Sequence, residues 1–151
     1  MRSRFAIRAV AAAVAAFSVL SAPALAETKV EMLNKDPESG ERNVYHPAVI
    51  SVPAGETVTW VATDKGHNVE FIRGAVPDGV EIFRSRINQD ASFTFDQPGV
   101  YVYKCTPHYG LGMVGIVVVG GDTGNLDEVS GKSYPGKSNK RLKEMFAQLE
   151  Q

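Results

Sequence analysis

The sequence predicts an all-β protein, a Greek-key sandwich of about seven short strands with a helical extension at its C-terminal end. Short runs rich in Val, Ile, Phe, Tyr and Thr recur between residues 28 and 119, which is the composition of strands. Turn signals containing Gly and Pro separate these runs, as at Pro53–Glu56 and Gln97–Gly99. Past Gly120 the pattern changes to that of a helix. Regular strand spacing of this kind favours a sandwich over a parallel sheet.

The first 26 residues have the pattern of a secretory signal peptide. Three arginines precede an apolar run from Ala9 to Leu20, and a small-residue cleavage sequence ends at Ala26. The apolar run is too short for a membrane-spanning helix, which needs about 20 residues. We therefore expect cleavage after Ala26, export to the periplasm, and no membrane association of the mature protein.

The remaining residues, 27–151, are predicted to form a single domain. This length is close to the commonest size of one domain with one core. The predicted signal peptide contains three of the chain's 16 basic residues and none of its 17 acidic ones, so the mature chain has a net charge of −4. A negative net charge gives no reason to expect nucleic acid as a partner. We also expect the protein to be a monomer.

The predicted strands follow one another along the chain at short intervals. Most are β-branched or aromatic runs bounded by turn residues. In order they are Thr28–Leu33, Ala48–Val52, Thr57–Val61, Asn68–Ile72, Ala91–Phe95, Val100–Lys104 and Val114–Val119.

A helical region is predicted over about residues 124–150. Within it, Ser138–Glu150 carries apolar residues at positions i, i+3, i+4 and i+7, which is the spacing of one helix face. These residues are Leu142, Met145, Phe146 and Leu149. We expect this amphipathic helix to lie on the sandwich.

The stretch from Val102 to Met113 carries the residues with metal-binding chemistry. It contains the only cysteine of the chain, Cys105, together with His108 and Met113 in a C-x2-H-x4-M spacing. The Gly and Pro residues between them permit a loop that brings the three side chains together. A fourth donor is needed, and His67, in the polar stretch Asp64–Asn68, is the natural candidate.

Two imidazoles, a thiolate and a distant thioether form the ligand set of a blue-copper centre. Taken alone, Cys105 could be a buried apolar residue, Met113 a core residue and His67 a hydrogen-bonded loop residue. Their combination in an exported chain with no possible internal disulfide favours one copper ion as cofactor. His46 has no such neighbours in the sequence and is not assigned to the site.

The sequence resembles the small blue-copper proteins, the cupredoxins, and within them most closely the pseudoazurins. The resemblance covers essentially the whole mature chain. It rests on Met32–Lys35, Asp64–Val69, Cys105–Tyr109 with Gly112–Met113, and the C-terminal helical extension. It implies a cupredoxin-like fold and a soluble periplasmic carrier of one electron at a type 1 copper, rather than an enzyme. The partners it implies are copper nitrite reductase and c-type cytochromes, met by transient docking.

Two further sets of residues are expected to support this function. Asn68 can bridge the two ligand-bearing segments, and Pro107 stiffens the loop beside His108. Electrons are expected to leave through His108, next to the apolar Leu111. The resemblance places basic residues around that patch, namely Lys35, Lys65, Arg84, Arg86 and Lys104. The sequence departs from the family pattern in two places. Gly110–Leu111 stands where the family's loop often carries bulkier residues, and the segment from Asp36 to Asn43 is longer than usual.

Two other functions use the same side chains. A thiol-dependent enzyme would use Cys105 as nucleophile with His67 or His108 as base, and would leave Met113 without a role. A metal-carrier protein would need an exposed, exchangeable site, and zinc sites rarely include Met. An intense blue colour in the oxidised, copper-loaded protein separates the electron carrier from both.

Overall fold

The computed structural model describes residues 27–151, and they fold into two four-stranded β-sheets packed face to face with helices on one side. The predicted signal peptide lies outside the described residues. Among the described residues, no helix combines the length and the apolar character needed to cross a bilayer. The strands are β1 (Thr28–Lys35), β2 (Arg42–His46), β3 (Val49–Val52), β4 (Glu56–Val61), β5 (Glu70–Phe71), β6 (Ala91–Phe95), β7 (Gly99–Lys104) and β8 (Val114–Val119).

The chain crosses between the two sheets instead of completing one before the other. The first sheet has the order β2-β1-β4-β6 and the second the order β3-β8-β7-β5. The β1–β4 and β3–β8 pairs are parallel, whereas the other neighbours are antiparallel. Two parallel neighbouring strands need a crossover connection. Here the connection between β1 and β4, and the one between β3 and β8, each include at least one strand of the opposite sheet. The predicted sandwich architecture is confirmed.

Strand β2 was missed by the sequence analysis, which predicted no strand between Leu33 and Ala48. It pairs antiparallel with β1, with Tyr45 opposite Met32 and Val44 opposite Leu33. Only Val44 and Tyr45 are buried, and Asn43 has a positive φ of 53°. Arg, Asn and His are weak strand formers, so pairing with β1 and the burial of two side chains decide the conformation.

Strand β8 shows why some strands lack an alternating pattern: all six of its residues are buried. Val117 and Val119 pack into the core between the sheets, around Trp60 and Phe71. Ile116 and its same-face neighbours belong to a second core beneath the helices. A strand covered on both faces is apolar throughout.

The C-terminal region forms two helices, α1 (Leu126–Ser130) and α2 (Lys137–Leu149). The predicted amphipathic helix corresponds to α2. Leu142 and Phe146 are buried in the second core, while Met145 and Leu149 lie at its margin. The packing of this face fixes α2 against β8 and, at its N-terminal end, against the loop that precedes β8.

Candidate metal centre

Three side chains from two distant segments converge at one end of the sandwich. The Nδ1 atoms of His67 and His108 are 3.1 Å apart, and the Sγ atom of Cys105 lies 3.8 Å from the first and 3.6 Å from the second. Within residues 27–151 they form the one cluster of His, Cys, Asp or Glu side chains with metal-binding geometry. The sequence analysis had brought these three residues together on chemistry alone.

The loop between β7 and β8 is closed by its own backbone. The N–H of Cys105 donates to the carbonyl of Met113 over 3.0 Å, and the N–H of Met113 donates to the carbonyl of His108 over 3.2 Å. A single 3-10 turn, Tyr109–Leu111, lies between, and Gly112 follows it with a φ of 95°, which favours glycine. Met113, at the end of this loop, is fully buried.

His67 is oriented from behind by a residue that the sequence analysis missed as a site residue. Its Nε2 lies 2.9 Å from the Oδ1 of Asn34 in β1, so Nε2–H donates to that oxygen. The Nδ1 lone pair is then left facing Cys105 and His108. Such an outer hydrogen bond fixes the tautomer of a metal-binding imidazole. Asn34 lies within the Met32–Lys35 stretch, but no local pattern in it indicates contact with the site.

Burial keeps His67 in the form that can bind a metal. The pKa of His67 is lowered, first because the ring is desolvated and then because His108 lies beside it. A neutral imidazole has a free lone pair, whereas a protonated one has none. The Nδ1 atoms of His67 and His108 and the sulfur of Cys105 all lie within 3.8 Å of one another, an arrangement that fits three donors around one metal ion.

Cys105 is fully buried, and burial raises the pKa of its thiol. The backbone N–H groups of Asn68 and His108 partly offset that effect. A thiolate at a position that is buried away from water is stable only with a strong positive charge beside it. Cys105 is also the only cysteine of the chain, so no internal disulfide can occupy its sulfur.

The segment that carries His67 and the segment that carries Cys105 and His108 are joined by a pair of hydrogen bonds between Asn68 and Thr106. The N–H of Thr106 donates to Asn68 Oδ1 over 2.8 Å, and Asn68 Nδ2 donates to Thr106 Oγ1 over 3.1 Å. The Thr106 hydroxyl in turn donates to Glu70 over 2.6 Å. Asn68 had been expected to bridge these segments, whereas Thr106 and Glu70 had not been considered. Pro107, the next residue, is exposed.

The five basic residues expected near the site differ in their surroundings. Arg84 and Lys104 both form ion pairs with Glu70, at 3.5 and 3.7 Å, and Lys104 also lies 4.8 Å from the centre of the Tyr109 ring. Lys35, Lys65 and Arg86 are exposed and form no ion pair with any of the described residues.

An exposed apolar side chain follows His108 in the loop. Leu111, whose N–H donates to the carbonyl of His108 over 3.0 Å, is 50% exposed. His108 itself is half-buried. His46 lies apart from the cluster, with its Nδ1 3.0 Å from Asp36.

Comparison with known proteins gives a consistent result. A profile of the copper binding proteins of the plastocyanin/azurin family matches residues 31–120. The chain is 46% identical over 140 residues to the pseudoazurin of Paracoccus pantotrophus, covering 92% of this chain and 95% of that protein. It is 41% identical over 143 residues to the pseudoazurin of Methylorubrum extorquens, covering 93% and 95% of the two chains.

A solved structure shares the fold of this chain, and the match includes nearly all of the residues in that solved structure. The crystal structure of native pseudoazurin from Hyphomicrobium denitrificans superimposes with a TM-score of 0.77 at 41% identity. The superposition covers 82% of this chain and 98% of that one.

Proposed function

Because the chain belongs to the pseudoazurins, blue-copper electron carriers within the plastocyanin/azurin family of copper-binding proteins, we propose that it shuttles single electrons between redox proteins in the periplasm. The proposed ligands of its copper ion are His67, Cys105, His108 and Met113. The observation that carries the assignment of His67, Cys105 and His108 is the convergence of two imidazole nitrogens and one thiol sulfur within 4.8 Å of one another. Met113 is proposed from its place in the sequence motif and its full burial.

The chemistry supplied by the bound ion is a one-electron change between copper(II) and copper(I). The protein contributes a site that changes little during that step. Asn34 fixes the His67 ring, and the Asn68–Thr106 pair holds the two ligand segments together. Rigid ligands keep rearrangement small, which permits fast electron transfer.

Four protein donors would leave no open position for a substrate, and we propose that the protein is not an enzyme. The thiol-enzyme alternative needs a reactive thiolate. Cys105 is fully buried and its pKa is raised, so its sulfur is both inaccessible and protonated in the absence of a cation. These are properties of a poor nucleophile.

The proposed exit for the electron is His108, because it is the half-buried imidazole of the pair while His67 is fully buried. Leu111 beside it offers apolar surface for a transient contact. We propose copper nitrite reductase and c-type cytochromes as partners, with Lys35, Lys65, Arg84, Arg86 and Lys104 as docking residues, and a monomeric carrier.

The periplasmic location is proposed from the sequence of residues 1–26, with residues 27–151 as one mature domain. The burial of the only cysteine supports this location, because an exposed thiol would be open to oxidation outside the cytoplasm.

A copper titration of the purified mature protein tests the proposed function. One equivalent of copper(II) should produce an intense blue colour that a one-electron reductant removes and an oxidant restores. The reduced protein should then pass its electron to an oxidised c-type cytochrome. A protein that binds no copper, or stays colourless with a thiol open to alkylation, would contradict the proposal and favour the thiol enzyme.

A further inference from the structure

We propose that helix α2 is part of the metal centre, because Ser138 and Arg141 act as positioning residues for the loop between His108 and Met113. We call Ser138 and Arg141 the helix clamp. The inference rests on the proposed function, since it takes His108 and Met113 as ligands. It assigns a role in the site to a helix that, in the part of the chain that the structure describes, forms no side-chain hydrogen bond with His67, Cys105 or His108.

The first contact of the helix clamp is at the beginning of the 3-10 turn. Ser138 is fully buried, and its hydroxyl donates to the carbonyl of Tyr109, the residue directly after His108. Gly136 packs against the same turn, where a Cβ atom would collide with the carbonyl oxygen of Gly110. The N-terminal end of α2 therefore fits against the backbone of the loop, with no room for a side chain between them.

The second contact is at the end of the loop. Arg141 Nη1 donates to the carbonyl of Gly112 over 2.7 Å, and Gly112 directly precedes Met113. The same nitrogen also donates to the carbonyl of Asn43 over 3.0 Å, and Nη2 donates to the carbonyl of Arg42 over 3.1 Å. The Arg141 side chain is only 15% exposed. One guanidinium thus joins the ligand loop to strand β2.

The two carbonyls held by the helix clamp bracket the glycine-containing turn. Gly110 and Gly112 give this turn more conformational freedom than other residues would. Helix α2 is itself fixed by the packing of Leu142 and Phe146 into the second core. The clamp therefore transmits the rigidity of that core to the backbone on either side of the turn, and so to the position of the Met113 thioether.

The first test is spectroscopic and uses the full mature protein loaded with copper. Ser138→Ala removes one contact with almost no change in volume, and Arg141→Lys keeps the charge but cannot make the same set of donations. We expect both to change the intensity ratio of the copper–thiolate bands and the symmetry of the EPR spectrum. The reduction potential should rise, because a less well held thioether stabilises copper(II) less.

Lys140→Ala is the matched control, because Lys140 is on the same helix with its side chain 83% exposed. Its spectrum and potential should equal those of the original protein. A merely structural role of the helix clamp would lower the denaturation midpoint without moving the spectrum of the folded protein.

The second test does not depend on copper. In the metal-free protein, hydrogen exchange of the Leu111, Gly112 and Met113 amides should be faster in both clamp variants, by up to about tenfold, the upper end of the range expected for one lost hydrogen bond. The Val117 amide in the second sheet should exchange at an unchanged rate. This comparison separates local loosening of the loop from a loss of global stability.

Unchanged exchange in the loop, or a copper spectrum in both clamp variants identical to that of the original protein, would overturn the inference. Failure of the proposed function would look different, because the original protein itself would then not turn blue with copper.

Discussion

The copper assignment depends most directly on Cys105. Cys105→Ser should abolish the blue colour, because it removes the thiolate while changing the side-chain volume little. Without metal, the variant should unfold cooperatively, with a denaturation midpoint close to that of the metal-free original protein. The reason is that the buried Cys105 thiol acts as a small apolar group when no metal is bound. Absorption spectra of the copper-loaded variant check this. An intense blue band in the serine variant would show that the sulfur of Cys105 is not a ligand.

Met113 is proposed as the weak axial ligand. Met113→Gln should keep copper but lower the reduction potential, because a harder oxygen donor favours copper(II). Voltammetry of the two proteins measures the difference, and Met32→Leu, at another fully buried Met position, is the control. A potential in Met113→Gln that is equal to or higher than that of the original protein would rule out an axial role.

Residue chemistry and spacing were sufficient to predict which side chains converge, because Cys, His and Met within nine residues suit few other functions. The supporting residues were less predictable. Asn34 lies 33 positions from His67, and Thr106 and Glu70 are ordinary polar residues in the sequence. Contacts that depend on how β1, β5 and the ligand loop pack cannot be derived from local patterns.

Among the elements, the β1–β2 turn depends on one carboxylate. Asp36 accepts the backbone N–H groups of Ser39 and Glu38, at 2.9 and 2.7 Å, and lies beside His46. These contacts hold the pKa of Asp36 below its ordinary value, and the hydrogen bond from the backbone N–H of Ser39 has the largest effect. A carboxyl with a lowered pKa in the folded state stabilises the fold above its unfolded pKa of about 3.9 and loses that contribution as the pH falls through its folded pKa.

We therefore expect the metal-free protein to lose unfolding free energy more steeply than Asp36→Asn does as the pH falls from about 5 to about 2. Urea unfolding at several pH values measures both slopes. Glu38→Gln, in the same turn, should behave like the original protein. Equal slopes for the original protein and Asp36→Asn would show that this carboxylate does not stabilise the hairpin.

The elements with strong periodicity or β-branched runs were predictable from sequence, as β4, β6, β7, β8 and α2 show. Strand β2 was not, because its conformation is imposed by pairing with β1 and by burial of Val44 and Tyr45. Helix α1 lies within the predicted helical region 124–150, but with only five residues it has too few positions for a periodic pattern of its own. Burial of Leu126 and Val129 holds it in place.

For the whole molecule, the distribution of charge matters more than its sum. The predicted mature chain is negative, yet Lys35, Lys65 and Arg86 are exposed without ion pairs among the described residues. The charge of Arg84 is partly offset by Glu70. The structure thus ranks the proposed docking residues, which the sequence could not do.

If these cations attract an acidic partner face, the second-order electron-transfer rate should fall as ionic strength rises, since exposed charges are screened over about 8 to 10 Å. Lys65→Glu should slow the reaction and flatten its salt dependence more than Arg84→Glu does, with unchanged copper spectra. Glu144→Lys in α2 is the control and should have little effect. Stopped-flow rates decide this, and equal effects from all three variants or rates that rise with salt would contradict a docking role.

The central claim, a copper ion held by the same protein ligands in both oxidation states, is tested most directly by X-ray absorption at the copper edge. In the oxidised and in the reduced protein, we predict two nitrogen neighbours from the His67 and His108 rings and one short sulfur contact from Cys105, at nearly the same distances in the two states. A copper environment of nitrogen and oxygen alone, or one that loses or gains a ligand on reduction, would contradict the account.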